Sequence, residues 1–284
     1  MSDEILLRAS GSGALTTTKR GTGVTKTLLA LIKKHETKIL AGGTLTAPQA
    51  KELKDAKARR DAPAELSDTA KAFIRKTWLL KEKGFYKEIK SKYLDKGIYG
   101  EEDGITLITD IDKQFYVKNT KRINKGNLTG ECDINSVING VRVIQDIKCC
   151  WDAETFINSE IDNLYEWQGR IYMHLYDADE FWLRYCLVDC PPHIVVKEKE
   201  YKWRQYFSDS MSDEEQHQLE EKLKPIYDQI DRNLVYSTSS KYTKEERVKT
   251  FKITRDDVKF KELLDKIPHA LKYYNSLTLN GANV

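Results

Sequence analysis

Gly130-Glu131-Cys132-Asp133-Ile134-Asn135-Ser136-Val137-Ile138-Asn139-Gly140-Val141-Arg142-Val143-Ile144-Gln145-Asp146-Ile147-Lys148 is the stretch whose reading decides the fold. Residues 131–138 and 141–150 are rich in Val and Ile. The Asn139-Gly140 pair between them is the strongest short-range signal for a two-residue type I′ hairpin turn. With those two residues as the turn, counting back along both strands sets Asp133 opposite Asp146 and Glu131 opposite Lys148. Side chains in a strand alternate faces with period two, so all four project from one face.

Two carboxylates opposed across a hairpin stand about 4.5–5.5 Å apart at Cβ and destabilise the pair. A divalent cation between them reverses the sign of that interaction. Mg²⁺ takes oxygen ligands, commonly one or two carboxylates with waters and phosphate oxygens. Lys148 then stands beside the ion. Metal-assisted phosphodiester hydrolysis asks for this set: carboxylates to hold the ion, and a further cation to gather charge in the transition state. Glu131 and Lys148 also fit an ordinary cross-strand ion pair, so the facing aspartates are the more telling feature.

Composition sets the outer limits. The chain has 284 residues, 40% hydrophobic and 32% charged, which fits a globular protein with a substantial core. No apolar run approaches the roughly 18 residues that span a bilayer, and the N-terminus lacks the apolar block of a signal peptide, so a cytosolic location is expected. The five cysteines, Cys132, Cys149, Cys150, Cys186 and Cys190, are odd in number and fall in or beside strand-like segments. They read as reduced, buried residues, and the lack of any C-x-x-C spacing disfavours an iron-sulfur cluster.

Net charge is only +3 but unevenly spread. Between Lys71 and Tyr99 stand nine Lys or Arg residues against three acids, interleaved with Phe73, Trp78, Phe85, Tyr86 and Tyr93. Such a block fits a surface that tracks a phosphate backbone, and equally an amphipathic helical face that buries its rings. Upstream, Arg8, Ser10 and Ser12 surround glycines ahead of a helical pattern; phosphate capture at a helix N-terminus and a flexible tail both fit.

Helices are expected from Val24 to Leu40, from Pro48 to Asp61, and after a Ser67 cap. Gly97 and Gly100 read as a glycine entry to a short helix that turns Glu101, rather than Glu102, toward the sheet. Residues 114–118 and 181–189 read as strands. On a helix over 161–176, Gln168 occupies the inward face one turn before Tyr172; it meets either a polar site or the backbone. A helix starts at Ser212-Asp213-Glu214-Glu215 and runs to Asp231. Residues 236–249 read as a polar connector, and 255–274 as a last helix. No P-loop, H-E-x-x-H or G-x-S-x-G is present.

The succession Gly97-x-x-x-Glu101, Gly130-Glu131-Cys132-Asp133, Asp146-Ile147-Lys148 and Gln168-x-x-x-Tyr172 resembles the PD-(D/E)xK nuclease superfamily. Within it the pattern is most similar to the phage lambda exonuclease group, with RecB-type nucleases as neighbours. The matching motifs cover residues 97–189, and Arg8-Ala9-Ser10 is similar to that group's N-terminal entry. The resemblance departs at Cys132, where a small residue or proline is usual, and at Asp146, where Glu is frequent.

That resemblance implies an α/β fold with a mixed central β-sheet flanked by helices, a restriction-endonuclease-like core. Residues 1–195 would form the nuclease core with its N-terminal helical part, and 196–284 a helical extension of the same domain. Glu101, Asp133 and Asp146, with the Ile147 carbonyl, would ligate Mg²⁺, or Mn²⁺ in its place. Lys148 would orient or activate water. Gln168 and Tyr172 would brace the site and contact DNA, with Arg8 and Ser10 at a terminal phosphate. The implied function is a 5′-to-3′ exonuclease on double-stranded DNA ends in phage recombination, within a bacterial host. A homotrimer and a single-strand annealing protein as partner belong to the same resemblance. The alternatives are a RecB-type single-strand or structure-selective nuclease and a non-catalytic DNA-binding module.

Overall fold

The Asn139-Gly140 turn forms as its residue types require. Asn139 has φ 51° and Gly140 φ 83°, the paired positive values of a type I′ turn. In a computed structural model describing residues 4–17, 19, 24–61 and 65–282, this turn joins β1 (Ile134–Ile138) to β2 (Val141–Cys149). The register runs from Ile138 opposite Val141 back to Ile134 opposite Gln145, as counting from the turn predicts.

The sheet then grows by two strands. β2 pairs in parallel with β3 (Glu180–Cys186), and β3 pairs antiparallel with β4 (Val248–Thr254), giving a mixed sheet in the order β1-β2-β3-β4. A parallel pair needs a crossover, and α2 (Asn163–Tyr176), capped by the Asp162 carboxylate on Tyr165 N–H, supplies it. The other face of β2 is covered by α1 (Lys92–Asp112), whose Ile105 and Ile108 share a core with Ile134, Ile147, Cys186 and Val188. The fold class is therefore α/β, a mixed sheet between helices. Beyond the sheet, α3 (Pro192–Arg204) and α4 (Asp213–Leu234) pack on each other, and α4 opens with a full capping box of Ser212 and Glu215.

Packing divides the chain into two compact units, Lys87–Arg255, which holds the sheet, and the two chain ends, up to Tyr86 and from Asp256. In the terminal unit, helix Lys26–Leu40 pairs with Ala47–Asp61 through Leu28, Ile32, Leu53 and Ala56. Helix Asp68–Lys83, capped by Ser67, packs on Ile267–Asn275.

Four expectations are corrected. Residues 114–118 form no strand, only a single bridge from Lys118 to Ile134. The glycine entry before Glu101 lies inside α1, which starts at the Ser91 cap and runs 21 residues; packing on β2 outweighs the helix cost of Gly97 and Gly100. The connector read as ending at 249 leads into β4 from Val248, so the segment after 195 is not purely helical. The last helix is two, Asp257–Leu264 and Ile267–Asn275, because Pro268 sits where a helix begins, not where one continues.

Gly169 lets α2 lie close on the sheet: a Cβ there would stand 2.0 Å from the Phe181 ring, which is fully buried. Gly169→Ala should therefore destabilise by about 1–3 kcal/mol through overpacking, although alanine is the better helix former. Urea unfolding at unchanged midpoint would contradict this packing.

Candidate active site

The hairpin ladder stops at Ile134 opposite Gln145, three residue pairs short of the expected end at Glu131 opposite Lys148. In a continued ladder Ile147 N–H would donate to Cys132 O, since Cys132 and Ile147 are the next hydrogen-bonded pair after Ile134 and Gln145. Asn119 takes that carbonyl instead: its Nδ2 donates to Cys132 O at 2.9 Å, and its backbone N–H to Asp133 O at 2.7 Å. The chain leaves the sheet, and Leu128–Gly130 pairs with Ile123–Lys125. Ile147 N–H then donates to the Asp133 carboxylate, Oδ2 at 2.6 Å. Because N–H and C=O of an antiparallel strand residue point to one side, the Ile147 carbonyl opens on that side too.

Glu131 is therefore not beside Lys148. Once the ladder ends, register counting no longer places it, and it pairs with Arg122 at 3.1 Å. Asp146 remains where expected, 2% exposed on the α2 face of β2. Its Oδ1 accepts from Gln168 Nε2 at 3.2 Å, and the same nitrogen donates to Tyr172 Oη at 3.0 Å. Gln168 thus meets a polar site. Lys148 Nζ stands 2.6 Å from Asp146 Oδ2, an ion pair at a buried oxygen.

Electrostatics follow from that crowding. Burial, and next the Asp146 charge, push the Asp133 carboxyl up to about 8. Glu101, half-buried on α1 and ion-paired with Lys118 at 3.1 Å, adds to the same effect, whereas Glu102 is exposed. Burial alone draws a lysine down, but the Asp146 carboxylate outweighs it and holds Lys148 above its usual value, as a firm cation.

The buried Asp146, the half-buried Asp133 and a backbone carbonyl on the same side suit a hard cation. Among the described residues no three Asp, Glu, His or Cys side chains close a site by themselves. The donor set is an open one, of the kind Mg²⁺ completes with waters and phosphate oxygens. Arg8 and Ser10 belong to the terminal unit, where both are exposed beside the short helix Ala9–Ser12.

A phage-related exonuclease from Haemophilus somnus 129PT aligns over 96% of this chain and 94% of its own, with a TM-score of 0.61 and 21% identity. The chain shares the fold of that exonuclease. An alkaline exonuclease from Laribacter hongkongensis aligns more loosely, at TM-score 0.46 and 10% identity over 95% of this chain and 88% of that one. The sequence matches no family model and no curated protein.

On this fold the structure adds two residues that sequence reading missed. Lys148 Nζ stands 5.2 Å from the centre of the Tyr165 ring, so the ammonium is held between a carboxylate and an aromatic face. The signal was present: Tyr165 lies three residues before Gln168, on the same helical side. Lys249 on β4 donates to the carbonyls of Phe156, Ile157 and Ser159 at 2.9–3.1 Å, anchoring the loop that follows β2. Nothing local predicts that, because it depends on β4 joining the sheet.

In the folded protein Asp133 keeps its proton to about pH 8, whereas an unfolded aspartate loses it near about 3.9. Rising pH through that window therefore lowers stability when no divalent cation is present. Asp133→Asn, which still accepts from Ile147, should match the parent at about pH 4 and exceed it by a few degrees at about pH 8, at roughly 2–4 °C per kcal/mol. Calorimetry in chelator checks this; a gain independent of pH would refute the assignment.

Proposed function

We propose that this protein is a Mg²⁺-dependent deoxyribonuclease that degrades double-stranded DNA from its ends, in the 5′-to-3′ direction, in phage-type recombination. The observation that carries this reading is the half-buried Asp133 with the buried Asp146 beside a charged Lys148, on the fold of a phage-related exonuclease.

Asp133, Asp146 and the Ile147 carbonyl would hold the ion, with Glu101 joining when it leaves Lys118. Bound there, Mg²⁺ would acidify water and polarise the phosphoryl oxygens. The Asp146 carboxylate favours the charged form of Lys148. The role of Lys148 is that of a fixed cation that orients the attacking water and gathers phosphoryl charge. Gln168 and Tyr172 hold the Asp146 carboxylate in place through one amide nitrogen. Tyr165 holds the ammonium over the same spot.

Lys148→Ala should lower hydrolysis about 100- to 1,000-fold and leave DNA binding intact; parental turnover would contradict the role. Since cation binding displaces the Asp133 proton, Mn²⁺ affinity should rise up to about tenfold per pH unit below pH 8 and then level off. Isothermal titration reads this directly, and a flat profile would remove Asp133 from the ligand set. Linear duplex carrying 5′-phosphates should be consumed in Mg²⁺ while covalently closed circles survive. Cleavage of the circles would overturn end dependence.

A further inference from the structure

Several cations of the basic block at Lys71–Tyr99 have partners within the fold. Lys71 and Arg75 both engage Tyr273, the latter through a 3.0 Å hydrogen bond to its hydroxyl. Lys83 lies over Trp78, Lys81 donates to Glu4 O, and Lys92 pairs with Glu198 at 2.7 Å. Lys96 is fully buried, donating to Trp151 O between the Trp151 and Tyr236 rings.

A second concentration is different. Residues 26–61, the helical hairpin of the terminal unit, carry nine Lys or Arg against four acids, a net +5 in a chain of +3. Lys57 pairs with Glu36, and Arg60 with Asp61. Lys26, Lys33, Lys34, Lys51 and Lys54 are exposed and make no ion pair or hydrogen bond among the described residues. Lys26 and Lys33 are two helical turns apart, on the side of their helix away from Leu28 and Ile32, and Lys51 and Lys54 are neighbours at i, i+3. Arg59, whose Nε is buried without a hydrogen bond, lines with Lys34 a groove of about 500 Å³ between the helices.

Unpaired like charges on two short helices oppose folding by mutual repulsion, and the hairpin's apolar contact is small, resting on Leu28, Ile32, Leu53 and Ala56. A polyanion reverses the sign of that repulsion. We propose that the Lys26–Asp61 hairpin binds the phosphate backbone of duplex DNA, as a contact separate from the hydrolytic residues. The choice of DNA rests on the nuclease reading above; the presence of a backbone-binding face rests on the lysines.

The test uses the full chain in chelator, with a duplex of about 40 base pairs, parent against the variant Lys26→Gln/Lys33→Gln/Lys51→Gln/Lys54→Gln. Glutamine keeps helix propensity close to that of lysine. Each phosphate contact contributes about 0.9 to the slope of log affinity against log salt. The variant should bind at least about tenfold more weakly at low salt with a slope shallower by about 2 or more, and its hydrolysis at saturating DNA should equal the parent's. Arginine at the four positions should restore both affinity and slope. Unchanged affinity and slope would overturn the proposal, as would weaker binding at unchanged slope, which marks damaged folding. Binding of polyglutamate as tight as that of duplex would overturn the choice of occupant. A parent that binds DNA with this lysine dependence but hydrolyses nothing would sink the nuclease reading and leave the hairpin assignment standing.

Discussion

The site depends on one hydrogen bond that the sheet does not make. Had Cys132 O accepted from Ile147 N–H, the hairpin would have continued, and Asp133 would have been one more strand residue. Asn119 removes that acceptor, and the Asp133 carboxylate bends in to replace it. A backbone donor is thereby satisfied by a side chain, which fixes one carboxylate oxygen at the edge of β2 and leaves the Ile147 carbonyl facing the same space. Ladder termination and ligand placement are the same event.

The consequence is a carboxylate pair held against its own repulsion. Asp133 is anchored by a backbone N–H and Asp146 by Gln168, so neither can swing away to relieve the other. Folding stability supplied by the Ile105, Ile108, Ile134 and Ile147 core maintains an arrangement that opposes stability locally. Without a divalent cation the molecule compensates in two ways, by retaining a proton on Asp133 and by pressing Lys148 against Asp146.

Local signals made part of this legible. Asn139-Gly140 fixed the turn, and the turn fixed which aspartates face each other, because period-two geometry propagates from a tight hairpin without further information. Gln168 on an inward helical face pointed to a polar partner, and Asp146 is that partner. What failed was extrapolation past the point where another segment intervenes: Glu131 was placed by counting, but Asn119, from a loop before the hairpin, ended the ladder. β4 escaped notice because Lys249 and Lys252 make an edge strand look like a polar connector. Charge on an edge discourages further pairing and so hides the strand in the sequence. The basic block at 71–99 was visible as charge, whereas its internal use by Tyr273, Trp78 and Glu198 arises from contacts far apart in the chain.

Charge balance links the site to the rest of the molecule. Asp133, Asp146 and Glu101 against Lys148 and Lys118 make the immediate surroundings negative whenever Asp133 is ionised. Such a place repels a phosphate backbone until a cation is bound, so it cannot supply the long-range attraction that gathers DNA. That attraction has to come from elements that hold no ligand, and their cations must not be consumed by partners of their own. Five exposed lysines of residues 26–60 meet that condition, whereas in the 71–99 block Lys92 is paired with Glu198 and Lys96 is buried. On the proposed reading, capture and hydrolysis fall to groups of opposite charge.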